Sequence, residues 1–113
     1  MSKALRVRLY RGDTWGRSWI LKQSSGAPVN LAGATARLHV RNDAGALLIQ
    51  ASTADGRITI VPDEGRINMS VPYAATGLAP GSYRYDIEVT YSDGTRQTIE
   101  QSTLIVLEDM SRD

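Results

Sequence analysis

The chain has no cysteine and no phenylalanine, and it has one histidine and two tryptophans in 113 residues. Without cysteine there can be no disulfide framework, no thiol nucleophile and no cysteine–zinc site. A chain of this length is one domain's worth and can bury a core without such staples. Without phenylalanine, Trp15, Trp19 and the tyrosines must supply the large core side chains. No apolar run reaches the roughly 18 residues of a membrane span. Met1-Ser2-Lys3-Ala4 leads straight into alternating sequence, with no signal-peptide apolar region. The expectation is a protein made in the cytoplasm and not exported by a standard signal, with no membrane partner. Net charge is +1, with acids and bases interspersed. A broad electrostatic footprint for nucleic acid is therefore not expected.

Catalytic groups are also scarce. Any Ser-His-Asp arrangement must use His39, the only histidine. Strand register points it outward between Arg37 and Arg41, whose charges oppose its protonation as a general base. No G-x-S-x-G elbow accompanies it. Asp63-Glu64-Gly65 reads as a tight connection; even as strand neighbours, Asp63 and Glu64 would point to opposite faces and not converge as glycosidase carboxylates must. Asp86 and Glu88 share a face with Arg84, which suggests cross-strand ion pairing. Asp55-Gly56 and Asp93-Gly94 offer one acid each, too few for an oxygen-ligand metal loop. Phosphate-cradling glycine loops are absent. Arg11-Gly12-Asp13 matches the tripeptide read by cell-adhesion receptors, but a turn between two strands explains it without a partner. No catalytic, metal or cofactor site is expected, and the protein is not expected to be an enzyme.

What the chain does have is alternation of period two. Ala4–Tyr10 sets Leu5, Val7 and Leu9 against Arg6, Arg8 and Tyr10. Trp15–Lys22 sets Trp15, Trp19 and Leu21 on one face; Arg17 falls on that same face and leaves the register weakly specified. Thr35–Arg41 turns Ala36, Leu38 and Val40 inward. Leu47–Gln50, Arg57–Val61 and Arg66–Val71 follow as short strands. Tyr73–Thr76 is the only helical-looking turn, too short to be stable alone. The strongest stretch runs from Leu78 to Tyr91: Pro80-Gly81 turns the chain, and then Tyr83, Tyr85, Ile87, Val89 and Tyr91 occupy every second position. Ser92-Asp93-Gly94 closes a hairpin to Thr95–Leu107. Glu108–Asp113 is a polar tail.

Leu78, Gly81 and Tyr83 resemble the tyrosine corner of immunoglobulin-like sandwiches, where a tyrosine hydroxyl bonds to backbone a few residues upstream. Seven to nine short strands, with turn signals every eight to twelve residues, fit the same architecture. The expected fold is a single all-β immunoglobulin-like domain over residues 1–113, with residues 108–113 as its tail.

A wider resemblance lies in the order of several blocks. These are Arg11-Gly12-Asp13-Thr14-Trp15, Gly26-Ala27-Pro28-Val29-Asn30-Leu31-Ala32-Gly33, Asp55-Gly56-Arg57-Ile58, Gly65-Arg66-Ile67 and Leu78–Ile87. In that order the chain resembles the small immunoglobulin-like virion proteins of tailed bacteriophages. It is similar to the N-terminal domain of phage baseplate upper proteins. Asn30 stands where that pattern has Asp, Gln101 where it has a glycine before the last strand, and the long C-terminal region of baseplate upper proteins does not follow. The resemblance implies a structural or adaptor component of a virion, in tail, baseplate or collar, assembled in the bacterial host. Its partners would be other virion proteins in several symmetric copies. A capsid decoration or cement protein is the alternative. A carbohydrate-binding module that engages a host surface glycan is a third reading, resting on Tyr10, Tyr73 and whichever tryptophan is not buried.

The candidate interface on this reading is the outer side of the first strand with the tail: Arg6, Arg8, Tyr10, Glu108, Asp109 and Arg112. Arg6 and Arg8 also read simply as the wet face of a strand.

Overall fold

The structure, a computed structural model, describes residues 6–108. It contains eight strands: β1 (Arg6–Tyr10), β2 (Trp15–Ile20), β3 (Thr35–Arg41), β4 (Leu47–Ser52), β5 (Ile58–Val61), β6 (Arg66–Val71), β7 (Gly81–Thr90) and β8 (Arg96–Leu107). They form a five-stranded sheet in the order β1-β8-β7-β3-β4 and a three-stranded sheet in the order β2-β6-β5. All pairings are antiparallel except β1 with β8. The two sheets pack face to face as an immunoglobulin-like β-sandwich.

The alternation read from the sequence builds the core. Ala36, Leu38 and Val40 of β3, Tyr85, Ile87 and Val89 of β7, and Leu104 and Val106 of β8 form the inner face of the large sheet. Trp15, Trp19, Ile67, Met69, Val71 and Ile58 cover it from the small sheet. Burying each large aliphatic side chain contributes about 1.5–3 kcal/mol. Trp15 meets Tyr85 edge-to-face, with ring centroids 5.6 Å apart and planes at 83°. Tyr85 lies two residues past the corner tyrosine, where antibody domains carry the second cysteine of their inter-sheet disulfide. In this cysteine-free chain an aromatic contact crosses that gap.

The corner has its hydrogen bond: Tyr83 Oη donates to the Ala79 carbonyl at 2.6 Å. Leu78 packs against the core just upstream. Gly81 has φ 154°, and a Cβ there would meet nothing within 4 Å. Its requirement is therefore conformational and not steric.

Several boundaries differ from those read in the sequence. β2 stops at Ile20, because Leu21 bonds the Gly65 carbonyl and accepts from the Val29 amide, leading into the loop. β4 runs on to Ser52, whose amide donates to Asp55 Oδ1 at 3.0 Å. Asp63 and Glu64 lie off the strands, in the tight connection read from the sequence. They lie in a 3-10 turn, Pro62–Glu64, closed by Gly65 at φ 62°. The two acids are separated by turn geometry, and Glu64 bonds Arg66 at 2.9 Å. The helical-looking segment is a 3-10 turn, Tyr73–Ala75. Two bulges break the ladders. Leu48 is extra on β4, and Ile99 is extra on β8, between the pairs Ile87–Glu100 and Glu88–Thr98. The bulge on β8 forms without glycine, since Gln101 holds the nearby position.

Candidate functional site

Polar groups between the sheets are concentrated at one place. Arg17 points inward from β2 beside Trp15 and Trp19. Its Nη1 and Nη2 donate to the two oxygens of Glu100 on β8, each at 3.1 Å. Nη1 also lies 3.2 Å from Tyr85 Oη. Trp19 Nε1 donates to Glu100 Oε1 at 3.1 Å, and the Tyr85 hydroxyl donates to Glu100 Oε2. The guanidinium stacks 4.8 Å from the centre of the Trp19 ring. Arg17 is thus the residue that fixes the β2 register, because its bidentate partner waits on the opposite sheet.

The electrostatics of this clasp leave nothing poised for proton transfer. Burial acts to raise the Glu100 pKa, but hydrogen bonds from Tyr85, Arg17 and Trp19 and the Arg17 charge carry it below the ordinary carboxylate value. Burial, then the bond to Glu100, push the Tyr85 phenol above its ordinary value against the pull of Arg17. Burial acts to lower the Arg17 pKa, and its bonds to Glu100 and Tyr85 raise it overall. A general acid or base works best with a pKa near the operating pH; here both titratable partners are driven away from it. The clasp joins the sheets.

His39 sits half-buried on the outer face of the large sheet, in register with Asp86 of β7. Arg41 Nη2 lies 3.4 Å from its Nδ1. Burial first, then the charges of Arg37 and Arg41, lower its pKa, and Asp86 and Glu88 oppose them. Arg37 pairs with Glu88 at 3.3 Å across β3 and β7. Two shallow depressions lie on this face. One, of about 320 Å³, is bordered by Thr35, Arg37, Thr90 and Arg96. The other, of about 210 Å³, is bordered by His39, Arg41, Arg84 and Asp86. Among the described residues no three acids or histidines cluster as metal ligands would.

The candidate interface residues fall as follows. Arg8 and Tyr10 are exposed on the outer side of β1, with Tyr10 53% exposed, while Leu9 between them is buried. Arg6 opens β1 in register with Thr103. Tyr10 lies in register with Leu107 at the end of β8, so exposed Glu108 follows directly beside the end of β1. Asp109 and Arg112 lie outside the described residues. Arg11-Gly12-Asp13 forms the β1–β2 turn, closed by the Asp13 amide on the Tyr10 carbonyl at 3.0 Å. Thr76, fully buried, holds that turn: its hydroxyl oxygen is 2.6 Å from the Asp13 carbonyl, and its own carbonyl accepts from the Gly12 amide. Both tryptophans are buried, at 3% and 8% exposure, so only Tyr10 and Tyr73 remain as exposed aromatic platforms from the glycan reading.

Sequence reading missed Glu100 and Thr76. A signal for Glu100 existed: counting by twos back from Leu104 puts residue 100 on the inner face, where Arg17 needs an acid. The bulge at Ile99 hides it from a count begun at the hairpin.

No family model matches the chain, and no curated protein does. Solved structures do match. CopC from Methylosinus trichosporium OB3b superposes with a TM-score of 0.55 at 15% identity, over 96% of this chain and 89% of that one. Extracellular domains 3–5 of Drosophila OTK match at a TM-score of 0.43 and 17% identity, over 91% of this chain and 33% of that one. Murine CRIg matches at 0.38 and 11%, over 92% of each. At these identities the likeness is one of fold.

Proposed function

We propose that this chain is a non-enzymatic binding module acting through protein–protein contacts. We place it in the setting its sequence resembles, a structural or adaptor component of a tailed-phage virion in tail, baseplate or collar. The reading is supported by how the polar groups are divided. Between the sheets, the charged groups are paired in the Arg17–Glu100 clasp. Outside, β1 presents Arg8 and Tyr10 on an edge strand beside Glu108. An edge strand can take on a strand from a partner, and Arg and Tyr are enriched among binding hot spots. The partners on this reading are other virion proteins, met in several symmetric copies.

The test is incorporation. Changing Arg6 and Arg8 together to Ser, or deleting residues 108–113, should leave the unfolding free energy from urea melts within about 0.5 kcal/mol of the parent, as for exposed sites. Both variants should be depleted from purified particles. Normal occupancy for both, with the fold intact, would move the interface elsewhere, to the loops at residues 23–26 and 42–45.

A further inference from the structure

Among the described residues the sandwich has four strand edges, and three are closed. On β4 the Gln50 carbonyl accepts from Arg57 Nη1 at 2.8 Å, the Ser52 amide is taken by Asp55, and Leu48 bulges. β5 is four residues long. β2 is recessed: Arg17 and Trp19 reach Glu100 of β8, and Trp15 reaches Tyr85 of β7, so β2 lies over β7 and β8. The large sheet runs on beyond it to β1. Another sandwich brought up to the β2 edge would collide with that overhang.

The overhang leaves β1 accessible. The Arg11 amide donates to the Leu107 carbonyl, toward β8. Backbone groups alternate sides along a strand, so those of Leu9 face β8 as well. Those of Arg8 and Tyr10 face the open side. The Tyr10 carbonyl also receives the Asp13 amide, and a carbonyl has a second lone pair to offer.

We infer that β1 pairs with β1 of a second copy of this chain, antiparallel about a two-fold axis at Leu9. The β1 edge is self-complementary. In a symmetric antiparallel pair each residue faces a fixed counterpart. Centring on Arg8 would set arginine against arginine, which is destabilising. Centring on Leu9 sets Arg8 against Tyr10 of the second copy, twice over. The outward backbone groups of Arg8 and Tyr10 are those such a pair exchanges, and an arginine on a tyrosine ring gains cation–π attraction. Leu9 meets Leu9, and partly buried Val7 gains cover. The result is one continuous sheet across two sandwiches. This rests on the binding-module reading for β1 and names its partner.

The experiment is sedimentation equilibrium of the full chain over a range of concentrations. The weight-average mass should rise from the 12.3 kDa of one chain toward twice that value. Tyr10→Arg opposes arginine to Arg8 at both contacts and should weaken association by about tenfold or more. The double variant Arg8→Glu with Tyr10→Arg restores opposite charges across the axis and should recover it. Urea melts establish that both variants fold. A parent chain that stays at single-chain mass overturns the inference, as does a double variant that associates no better than Tyr10→Arg. If the parent is monomeric yet enters particles through β1, the binding-module reading survives while the self-pairing falls.

Discussion

At the residue scale, a few polar groups carry specific geometry. Removing the Tyr83 hydroxyl leaves the Ala79 carbonyl without its donor. That carbonyl is exposed and water can replace the donor, so Tyr83→Phe should cost about 0.5–1.5 kcal/mol by urea melting; coincident midpoints would show the corner bond to be dispensable. Glu100→Gln removes the charge that Arg17 grips with two hydrogen bonds. It should cost about 2 kcal/mol at neutral pH. The folded pKa of Glu100 lies below its ordinary value, so the clasp contributes fully above the ordinary carboxylate range. That contribution fades as pH falls through the folded value. Stability measured against pH should therefore have a shallower acid limb in Glu100→Gln. His39 has a depressed pKa as well, so its folded form prefers to be neutral. Its contribution is complete above an imidazole's ordinary 6.5 and diminishes as pH drops below it. His39→Ala should flatten that region while changing neutral-pH stability by less than about 0.5 kcal/mol, as for a surface site. A larger loss would give His39 a role that its half-exposed place does not suggest.

At the element scale, turns decide where strands end. Gly65 closes the β5–β6 connection at φ 62°, and a Cβ there would lie 2.5 Å from the Leu21 carbonyl oxygen and 3.1 Å from the Val29 amide nitrogen. Those are backbone atoms of the loop that leaves β2, so they cannot swing aside. Gly65→Ala should destabilise by more than about 1 kcal/mol, from left-handed strain before the clash is counted. Gly94, also at positive φ but with open space around it, should cost less on the same substitution. Comparing the two melts separates strain from crowding. The strands themselves were legible because one face of each is buried: the alternation of Tyr85, Ile87 and Val89 needs no partner to be read. The bulges at Leu48 and Ile99 were not legible. A bulge depends on how two strands register against each other, and a single sequence does not display that register. For the same reason Arg17 stood out as a misfit on the β2 face, while the inward parity of Glu100, 83 residues away, was hidden by the bulge at Ile99 from a count begun at the hairpin.

At the scale of the whole molecule, the sandwich sets its charged clasp between the sheets and, among the described residues, leaves one strand edge open. Legibility was uneven here too. The fold could be read from alternation and the tyrosine corner. The candidate surface on β1 could be read only as a row of Arg6, Arg8 and Tyr10, because exposure of an edge follows from sheet order. The five-to-three mismatch of the sheets, which makes β1 overhang, is a property of the assembled topology. The central claim is that this overhanging edge is where the protein meets its neighbours. On the proposed virion reading, its most direct test is to locate the chain in density of an intact particle. The account predicts a sandwich present in several symmetric copies, with β1 paired against a neighbouring chain and the outer face around His39 free of catalytic partners. A particle without the chain, or one in which β1 faces open solvent while another edge makes every contact, would contradict it.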